Sequence, residues 1–220
     1  MVQSATHACG TMNPDPAADS LSLLDWRRRV ADLYAEIRAT PDKRAAWQRW
    51  QETRARLFRE HAQSPVPAAE REAYTGPYLY DYDPAWSLTA SLEPIEARHL
   101  EIATSGVEAM AFDRFAVAHF EQSGVALSLE LYWLAGYGGG LFVPFADATS
   151  GRETYGAGRY LFDTVKGADL GQRDGLLVID FNFAYQPSCA YDPRWTCPLT
   201  PPSNRLSVPV RAGERVSGQS

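Results

Sequence analysis

The spacing of apolar residues changes once along this chain, and that change limits the fold. Before residue 64 the apolar side chains recur every three or four positions, which places them on one side of a helix. They are Leu23, Trp26, Val30, Leu33 and Ile37, then Trp47, Trp50, Leu57 and Phe58. Thr40-Pro41-Asp42 separates the two stretches, because a residue before proline is pushed out of the helical conformation. The sequence predicts an antiparallel helical hairpin, with Ser22 as its N-terminal cap and His61 near its end.

From Tyr74 onward the apolar residues alternate with polar ones, in short segments separated by Gly, Pro, Asp or Ser. The predicted strands lie near residues 78–82, 86–92, 97–103, 109–119, 125–134, 140–145, 153–162, 176–182 and 205–210. Many short strands without helices between them favour antiparallel pairing, and closing them into a barrel or a sandwich would remove exposed edges. The predicted fold is therefore α+β, with an N-terminal antiparallel helical hairpin packed on a mainly antiparallel, β-barrel-like body. A split barrel is one form that this body can take.

The length of 220 residues and the 45% hydrophobic content predict one main domain with an appendage. The expected division is a disordered lead-in over 1–19, the helical hairpin over 20–64, the barrel-like domain over 74–213, and a frayed tail over 214–220. Cys9 in the lead-in is interpreted as an incidental exposed thiol.

The charge and the first residues exclude several classes of protein. A net charge of -6 argues against a nucleic-acid-binding face, which normally shows a clustered basic patch. The first residues lack the basic start and apolar run of a secretory signal, and no apolar segment approaches the ~18 residues that span a bilayer. The sequence predicts a cytoplasmic protein with neither a membrane nor a nucleic-acid partner.

Residues 136–204 hold the densest mixture of glycine, proline, carboxylates, arginine and tyrosine, so a site is expected there. Gly138-Gly139-Gly140 precedes a predicted strand, whereas a phosphate loop leads into a helix. Gly156-x-Gly158 lacks the third glycine and the helix of a dinucleotide fingerprint. No cofactor is predicted from these motifs.

Polar residues an even number of positions apart suggest where a site would form, because such residues share one face of a strand. Glu153, Tyr155 and Arg159 would point to one face of a single regular strand, and Asp180 and Asn182 share a face of the next. A lone buried guanidinium costs several kcal/mol, so an inward arginine must meet a carboxylate or a ligand anion.

Two interpretations of this set stay open. In the first it is a pocket for a small polar or anionic molecule, with one carboxylate acting as acid or base. Its candidate catalytic residues are Glu153, Asp180 and Asp147. Its candidate ligand-binding residues are Arg159, Tyr155, Tyr160, Thr149, Thr154, Asn182, Tyr185 and Asn204. In the second interpretation the same groups form a structural hydrogen-bond clamp that fixes closure of the sheet.

A Ser-His-Asp or Cys-His-Asn catalytic triad is disfavoured, because it needs a histidine base and the last histidine, His119, precedes the motif region. Thiolate-histidine zinc sites are disfavoured because Cys189 and Cys197 are not spaced as CxxC, so no metal is predicted. An all-oxygen divalent site from Asp147, Glu153 and Asp180 stays open. The two cysteines can form a disulfide, two reduced buried thiols or a redox-active couple.

Two long runs carry a family resemblance: GGGLFVPFADATSGRETYGAGRYL and DFNFAYQPSCAYDPRWTCPLTPPSNRLSVPVRAGE. They resemble the signature of the bacterial and archaeal family called domain of unknown function 1684 (DUF1684). That resemblance implies no activity, cofactor or substrate. Some members of the family look like exported lipoproteins that keep both cysteines, which favours the disulfide in those members.

Three function classes follow from the residues. The first is a barrel that binds, and can process by acid-base or hydrolytic chemistry, a small polar or anionic metabolite held by Arg159. The second is a flavin (FMN)-binding split barrel in which Arg159, Thr149 and Thr154 hold the phosphate. The third is a non-catalytic interaction module that docks through the helical hairpin.

Overall fold

A computed structural model describes residues 15–216, and two long helices open it. They are α1 (Pro16–Ala39) and α2 (Lys43–Glu60). The carboxylate of Asp15 accepts a hydrogen bond from the backbone N–H of Ala17 and so caps α1. The expected cap at Ser22 is wrong, because Ser22 lies inside the helix. Cys9 and the first part of the predicted lead-in fall outside the described residues.

The helical hairpin buries one side against two 3-10 turns, Thr164–Lys166 and Phe181–Phe183. Val30, Leu33 and Ile37 of α1 are buried, as the spacing predicts. The ring of Trp50, on α2, meets that of Phe183 edge-on at 5.6 Å. No helix within residues 15–216 combines the length and the apolar composition that crossing a bilayer demands.

Seven strands form one antiparallel sheet that curls into a half-barrel, which confirms the predicted α+β fold. They are β1 (Ser87–Ile102), β2 (Met110–Gln122), β3 (Val125–Leu134), β4 (Leu141–Phe145), β5 (Arg159–Asp163), β6 (Gln172–Arg173) and β7 (Leu176–Asp180). Their order across the sheet is β5-β4-β3-β2-β1-β7-β6.

Several predicted strands differ from the observed ones. The segments at 86–92 and 97–103 are one strand, β1, whose register shifts between Pro94 and Arg98. The segments at 78–82 and 205–210 make isolated bridges instead of strands. The segment at 153–162 is a strand only from Arg159 onward, because the chain turns back between residues 147 and 158. The left-handed glycines Gly151 and Gly158 permit that reversal.

The open side of the half-barrel is partly closed by the chain that follows β7. Tyr160 of β5 and Tyr185 exchange two backbone hydrogen bonds, of 2.9 and 3.1 Å. The C-terminal segment then packs beneath them, and Glu214 is 0% exposed. The expected fraying from residue 214 is therefore wrong for Glu214, while residues 217–220 lie outside the described range.

Candidate functional site

Arg159 lies at the centre of a fully buried polar network. Its Nη2 is 3.0 Å from Oδ2 of Asp147 and 2.8 Å from the carbonyl oxygen of Val210. Its Nη1 donates to the carbonyl oxygens of Ala212 and Glu214. The anion that the buried arginine requires is therefore a protein carboxylate, and backbone oxygens take up both terminal nitrogens.

Asp147 connects Arg159 to two of the predicted ligand-binding threonines. Its Oδ1 accepts hydrogen bonds from the backbone N–H of Thr149 at 2.7 Å and from the Thr149 hydroxyl at 2.6 Å. The hydroxyl of Thr149 lies 2.9 Å from that of Thr154. All four side chains are buried, and their polar groups bind one another. This geometry is that of a clamp, which joins the 147–154 turn to β5 and to the C-terminal segment. It is not an open cradle for a phosphate.

Glu153 lies outside this network. Its carboxylate accepts hydrogen bonds from Nε and Nη2 of Arg211, both at 2.8 Å, and from the hydroxyl of Tyr80 at 3.0 Å. The hydrogen bonds from Arg211 lower the pKa of Glu153 to about 2. The expectation that Glu153, Tyr155 and Arg159 share one strand face is wrong, because Glu153 and Tyr155 precede the strand in a turn.

Asp180 and Asn182 form a second polar group, at the end of β7. Oδ1 of Asp180 accepts from the backbone N–H and the side-chain amide of Asn182, at 3.0 and 2.9 Å. Oδ2 accepts from the hydroxyl of Ser87 at 2.6 Å. The two residues touch because a short 3-10 turn, Phe181–Phe183, follows Asp180, and not because they alternate along one strand. Burial raises the pKa of Asp180.

The two predicted asparagines, Asn182 and Asn204, each pair with main-chain groups as another strand would. Asn182 accepts from the N–H of Asp83 and donates to its carbonyl oxygen, both at 2.9 Å. Asn204 accepts from the N–H of Glu130 at 2.8 Å and donates to carbonyl oxygens of Glu130 and Pro144, at 3.0 and 2.7 Å. Their amides are saturated by the fold itself.

The hydroxyls of Tyr155 and Tyr160 bind partners outside the polar network of Arg159. The hydroxyl of Tyr160 donates to the carbonyl oxygen of Pro198. Tyr160 and Tyr185 line a narrow cleft of about 50 Å³ together with Arg54, and burial raises the pKa of both phenols. The hydroxyl of Tyr155 lies 3.7 Å from the sulfur of Cys189.

One buried ion pair escaped the sequence analysis. Arg54 of α2 donates from Nε and Nη2 to Oε1 of Glu214, at 2.8 and 2.6 Å. The other carboxylate oxygen accepts from the N–H of Gln186 and the hydroxyl of Tyr191, at 2.7 and 3.1 Å. Arg54 follows Trp50 by four positions and precedes Phe58 by four, so the helical spacing already placed this cation on the buried stripe.

A cationic cleft of about 170 Å³ lies between the helical hairpin and the β6–β7 edge. Asp180 is the one predicted catalytic residue on its wall, where Ser87 accompanies it. Gln172 and three basic side chains complete the polar part of the lining, and the basic ones are Arg38, Lys43 and Arg173.

The three predicted catalytic carboxylates belong to three different networks, around Arg159, around Arg211 and around Ser87. They do not converge on a common point, so they do not form the all-oxygen divalent site. Among residues 15–216, no three His, Cys, Asp or Glu side chains are grouped so that they could hold a metal ion.

The fold places the protein in the class of α+β half-barrels. In this protein the polar motif residues bind mostly to one another. The model of the family described as "Protein of unknown function (DUF1684)" matches residues 72–215. The chain belongs to this family, as the two long motifs indicated.

A solved structure gives an independent comparison. The chain is similar to the solution NMR structure of the uncharacterized protein from gene locus rrnAC0354 of Haloarcula marismortui. The two share 35% sequence identity, over 77% of this chain and 91% of that chain, with a TM-score of 0.58. None of the curated proteins compared matches this chain.

Proposed function

We propose that this protein binds a small anionic molecule in the cleft between the helical hairpin and the β6–β7 edge. The observation that carries the proposal is the charge on its walls. Lys43 and Arg173 line the cleft, and neither makes an ion pair with a carboxylate anywhere in residues 15–216. Two cations that lack an ion-pair partner attract an anion to a concave site, and the Asp180 carboxylate on the same wall offsets only part of the charge of Lys43.

The position of Lys43 supports this function. Its Nζ donates to the carbonyl oxygens of Thr40 and Ile37, at 2.8 and 3.4 Å, which anchors the ammonium group at the end of α1. An ammonium group has three donors, so one is left for a ligand. Arg38, the third cation, is already held by the carbonyl oxygen and carboxylate of Asp169.

The size and chemistry of the cleft favour a small metabolite. A volume of about 170 Å³ suits a molecule of few heavy atoms. The apolar part of the wall would partly shield a ligand from water, and it consists of Ile37, Leu170, Val178 and Phe183. A small phosphate or carboxylate compound has the required charge.

An acid-base role for Asp180 is a further part of this proposal. Burial raises the pKa of its carboxyl above the usual range of an aspartate, and Oδ2 accepts a hydrogen bond from the Ser87 hydroxyl on the cleft wall. Such a carboxyl can exchange a proton with a bound ligand through the serine hydroxyl. Hydrolytic chemistry at this site stays a prediction, as does a cytoplasmic location.

The test measures anion binding by the full chain. Freshly purified protein is examined by native mass spectrometry for a bound mass, then titrated with inorganic phosphate and with succinate while its thermal midpoint is followed. We expect Lys43→Gln and Arg173→Gln each to weaken binding at least tenfold. Arg56→Gln, which removes an exposed cation elsewhere on α2, is the matched control and should bind as the wild type does. Equal binding by all the variants would refute the proposal.

Asp180→Asn separates binding from chemistry. The amide keeps an oxygen for Asn182 but cannot release a proton, so this variant should retain the bound anion. It should lose any turnover found with phosphate-ester or carboxylate-ester substrates. Retained turnover would remove Asp180 from the mechanism and leave the binding proposal standing.

The flavin alternative has weaker support. Arg159, Thr149 and Thr154, the residues expected to hold an FMN phosphate, are buried and bonded to Asp147 or to one another. Absorbance of the purified protein near 450 nm tests this alternative directly.

A further inference from the structure

Cys189 and Cys197 are neighbours in an unusual polar setting. Cys189 lies in the short 3-10 turn Ser188–Ala190 and is partly exposed, whereas Cys197 is only 1% exposed. The backbone N–H of Cys189 donates to the sulfur of Cys197 at 3.4 Å. The hydroxyl of Tyr155 contacts the sulfur of Cys189 at 3.7 Å. Both cysteines are free thiols in this structure.

We propose that these two cysteines are a reversible redox couple, in which Cys189 is attacked first by a peroxide and Cys197 then closes a disulfide. The adjacency of the thiols provides the resolving partner, and their unequal exposure assigns the order. The cationic binding cleft described above is not part of this argument.

The environment makes Cys189 the nucleophile. The hydrogen bond from the Cys197 thiol, together with those from Ser105 and Tyr155, lowers the pKa of Cys189 to about 6. The same hydrogen bond to the Cys189 thiolate, followed by burial, raises the pKa of Cys197. The lower pKa makes Cys189 the first of the two thiols to ionise, and the thiolate is the form that attacks peroxides.

Cys189 reaches solvent through its own partial exposure, whereas Cys197 borders a cleft. The cleft, of about 190 Å³, is lined by Ser188 and Cys197 and by the indole rings of Trp26 and Trp195. Lys166 is also on its wall, where its charge opposes the rise in the pKa of Cys197. Cys189, the more exposed of the two thiols, is therefore the one that peroxide meets first.

The chemistry balances without any group beyond the peroxide. The Cys189 thiolate attacks one peroxide oxygen, the O–O bond breaks, and hydroxide leaves, so that the sulfur becomes a sulfenic acid. The Cys197 sulfur then attacks the Cys189 sulfur, the S–O bond breaks, and the Cys197 proton leaves with the hydroxyl as water. Oxidation of Cys189 also removes the thiolate whose hydrogen bond held the Cys197 proton in place. Two equivalents of an external thiol such as glutathione reset the pair: the first forms a mixed disulfide and frees one cysteine, and the second frees the other cysteine as glutathione disulfide forms.

The experiment uses the full chain carrying Cys9→Ser, so that only the pair can react. After reduction, treatment with equimolar hydrogen peroxide should lower the intact mass by two hydrogens and link the Cys189 and Cys197 peptides. Dithiothreitol should restore the original mass. In a Cys197→Ser variant, dimedone should trap a sulfenic acid at Cys189. In a Cys189→Ser variant, Cys197 should react at least tenfold more slowly.

A second measurement keeps the proposal testable if a serine variant fails to fold. The rate of iodoacetamide alkylation of Cys189 in the Cys9→Ser chain should rise with a midpoint near pH 6, and Tyr155→Phe should shift that midpoint upward. Alkylation at Cys189 with the midpoint of about 8.5 typical of a free cysteine would overturn the proposal. Peroxide treatment that left both thiols titratable, or that oxidised Cys197 first, would also overturn it.

Discussion

Oε1 of Glu214 lies 2.6 Å from Nη2 of Arg54, and this contact joins the second helix to the C-terminal segment of the chain. The carboxylate is 0% exposed and also holds Gln186 and Tyr191. One buried side chain therefore ties the helical hairpin, the loop after β7 and the chain end to one another. The pair raises the pKa of the Arg54 guanidinium despite burial.

Removing that carboxylate should destabilise the protein strongly. Glu214→Ala leaves the Arg54 guanidinium buried without a partner, which costs ~3–5 kcal/mol of unfolding free energy. Urea denaturation followed by tryptophan fluorescence measures the loss. Glu153→Ala is the matched control and should cost clearly less, because its partner Arg211 is largely exposed and stays hydrated when the carboxylate is removed. Similar losses in the two variants would contradict this account.

The Asp147–Arg159 pair should behave as a structural clamp. Asp147→Ala leaves the buried Arg159 guanidinium without its carboxylate partner and should cost ~3–5 kcal/mol of unfolding free energy. Arg159→Leu should cost a similar amount, because it also leaves the carbonyls of Val210, Ala212 and Glu214 without donors. The loss of unfolding free energy in the double variant should be clearly smaller than the sum of the two single losses, since each single substitution already breaks the shared network. Strict additivity in this double-mutant cycle would show that the two residues act separately.

Asn204 should matter for folding although it was expected to bind a ligand. Asn204→Ala leaves the N–H of Glu130 and two carbonyl oxygens without partners inside the fold. Each unsatisfied group costs ~1–3 kcal/mol, so we expect a loss of at least ~2 kcal/mol in urea denaturation. The neighbouring exposed residue provides the control, and Ser203→Ala should cost less than ~1 kcal/mol. A stable Asn204→Ala protein would reopen the ligand-binding interpretation.

Glu153 should make stability depend on pH in the acid range. Arg211 lowers its pKa from 4.5 to about 2 in the folded state. A lowered pKa in the folded state means that the stabilisation is complete above pH 4.5 and is lost as the pH falls toward 2. Glu153→Gln should flatten the curve of unfolding free energy against pH in that window, and Arg211→Gln should flatten it to a smaller degree, because the Tyr80 hydroxyl still donates to Glu153. A steep curve in either variant would assign the acid sensitivity to other groups.

Substitution of Gly167 should destabilise the protein more than substitution of a glycine in an open turn. A Cβ at Gly167 would lie 2.7 Å from the backbone nitrogen of Ala31, so α1 could not keep its place. Gly175 has a similar positive φ, 77° against 89°, but open space around it. Gly175→Ala should cost only the strain of ~1–2 kcal/mol, and Gly167→Ala a further ~1–3 kcal/mol. Equal thermal midpoints for the two variants would argue against the close approach of α1.

Much of the architecture could be predicted because apolar periodicity is a local property. The stripe from Val30 to Ile37 and the alternation around Leu129 and Leu131 define which faces are buried, and all four residues are buried. The two long motifs, with their cysteines and polar residues, can also be read directly from the sequence, and they identify the family. Strand limits were less accurate where turns intervene, as at Arg152 and Gly158, because alternation continues through a turn without forming a strand.

The grouping of the polar residues depended on the tertiary structure. Asp147 and Arg159 meet because a turn folds back on β5, whereas Glu153, between them in sequence, points to Arg211 at the surface. Arg54 and Glu214 are separated by most of the chain and meet only when the helical hairpin docks on the closed side of the sheet. The sequence thus determined which side chains are apolar, charged or reactive and which faces the helices and strands bury. Only the tertiary structure decided which charges are neutralised and which, such as Lys43 and Arg173, stay open, because that depends on contacts between residues far apart in the chain.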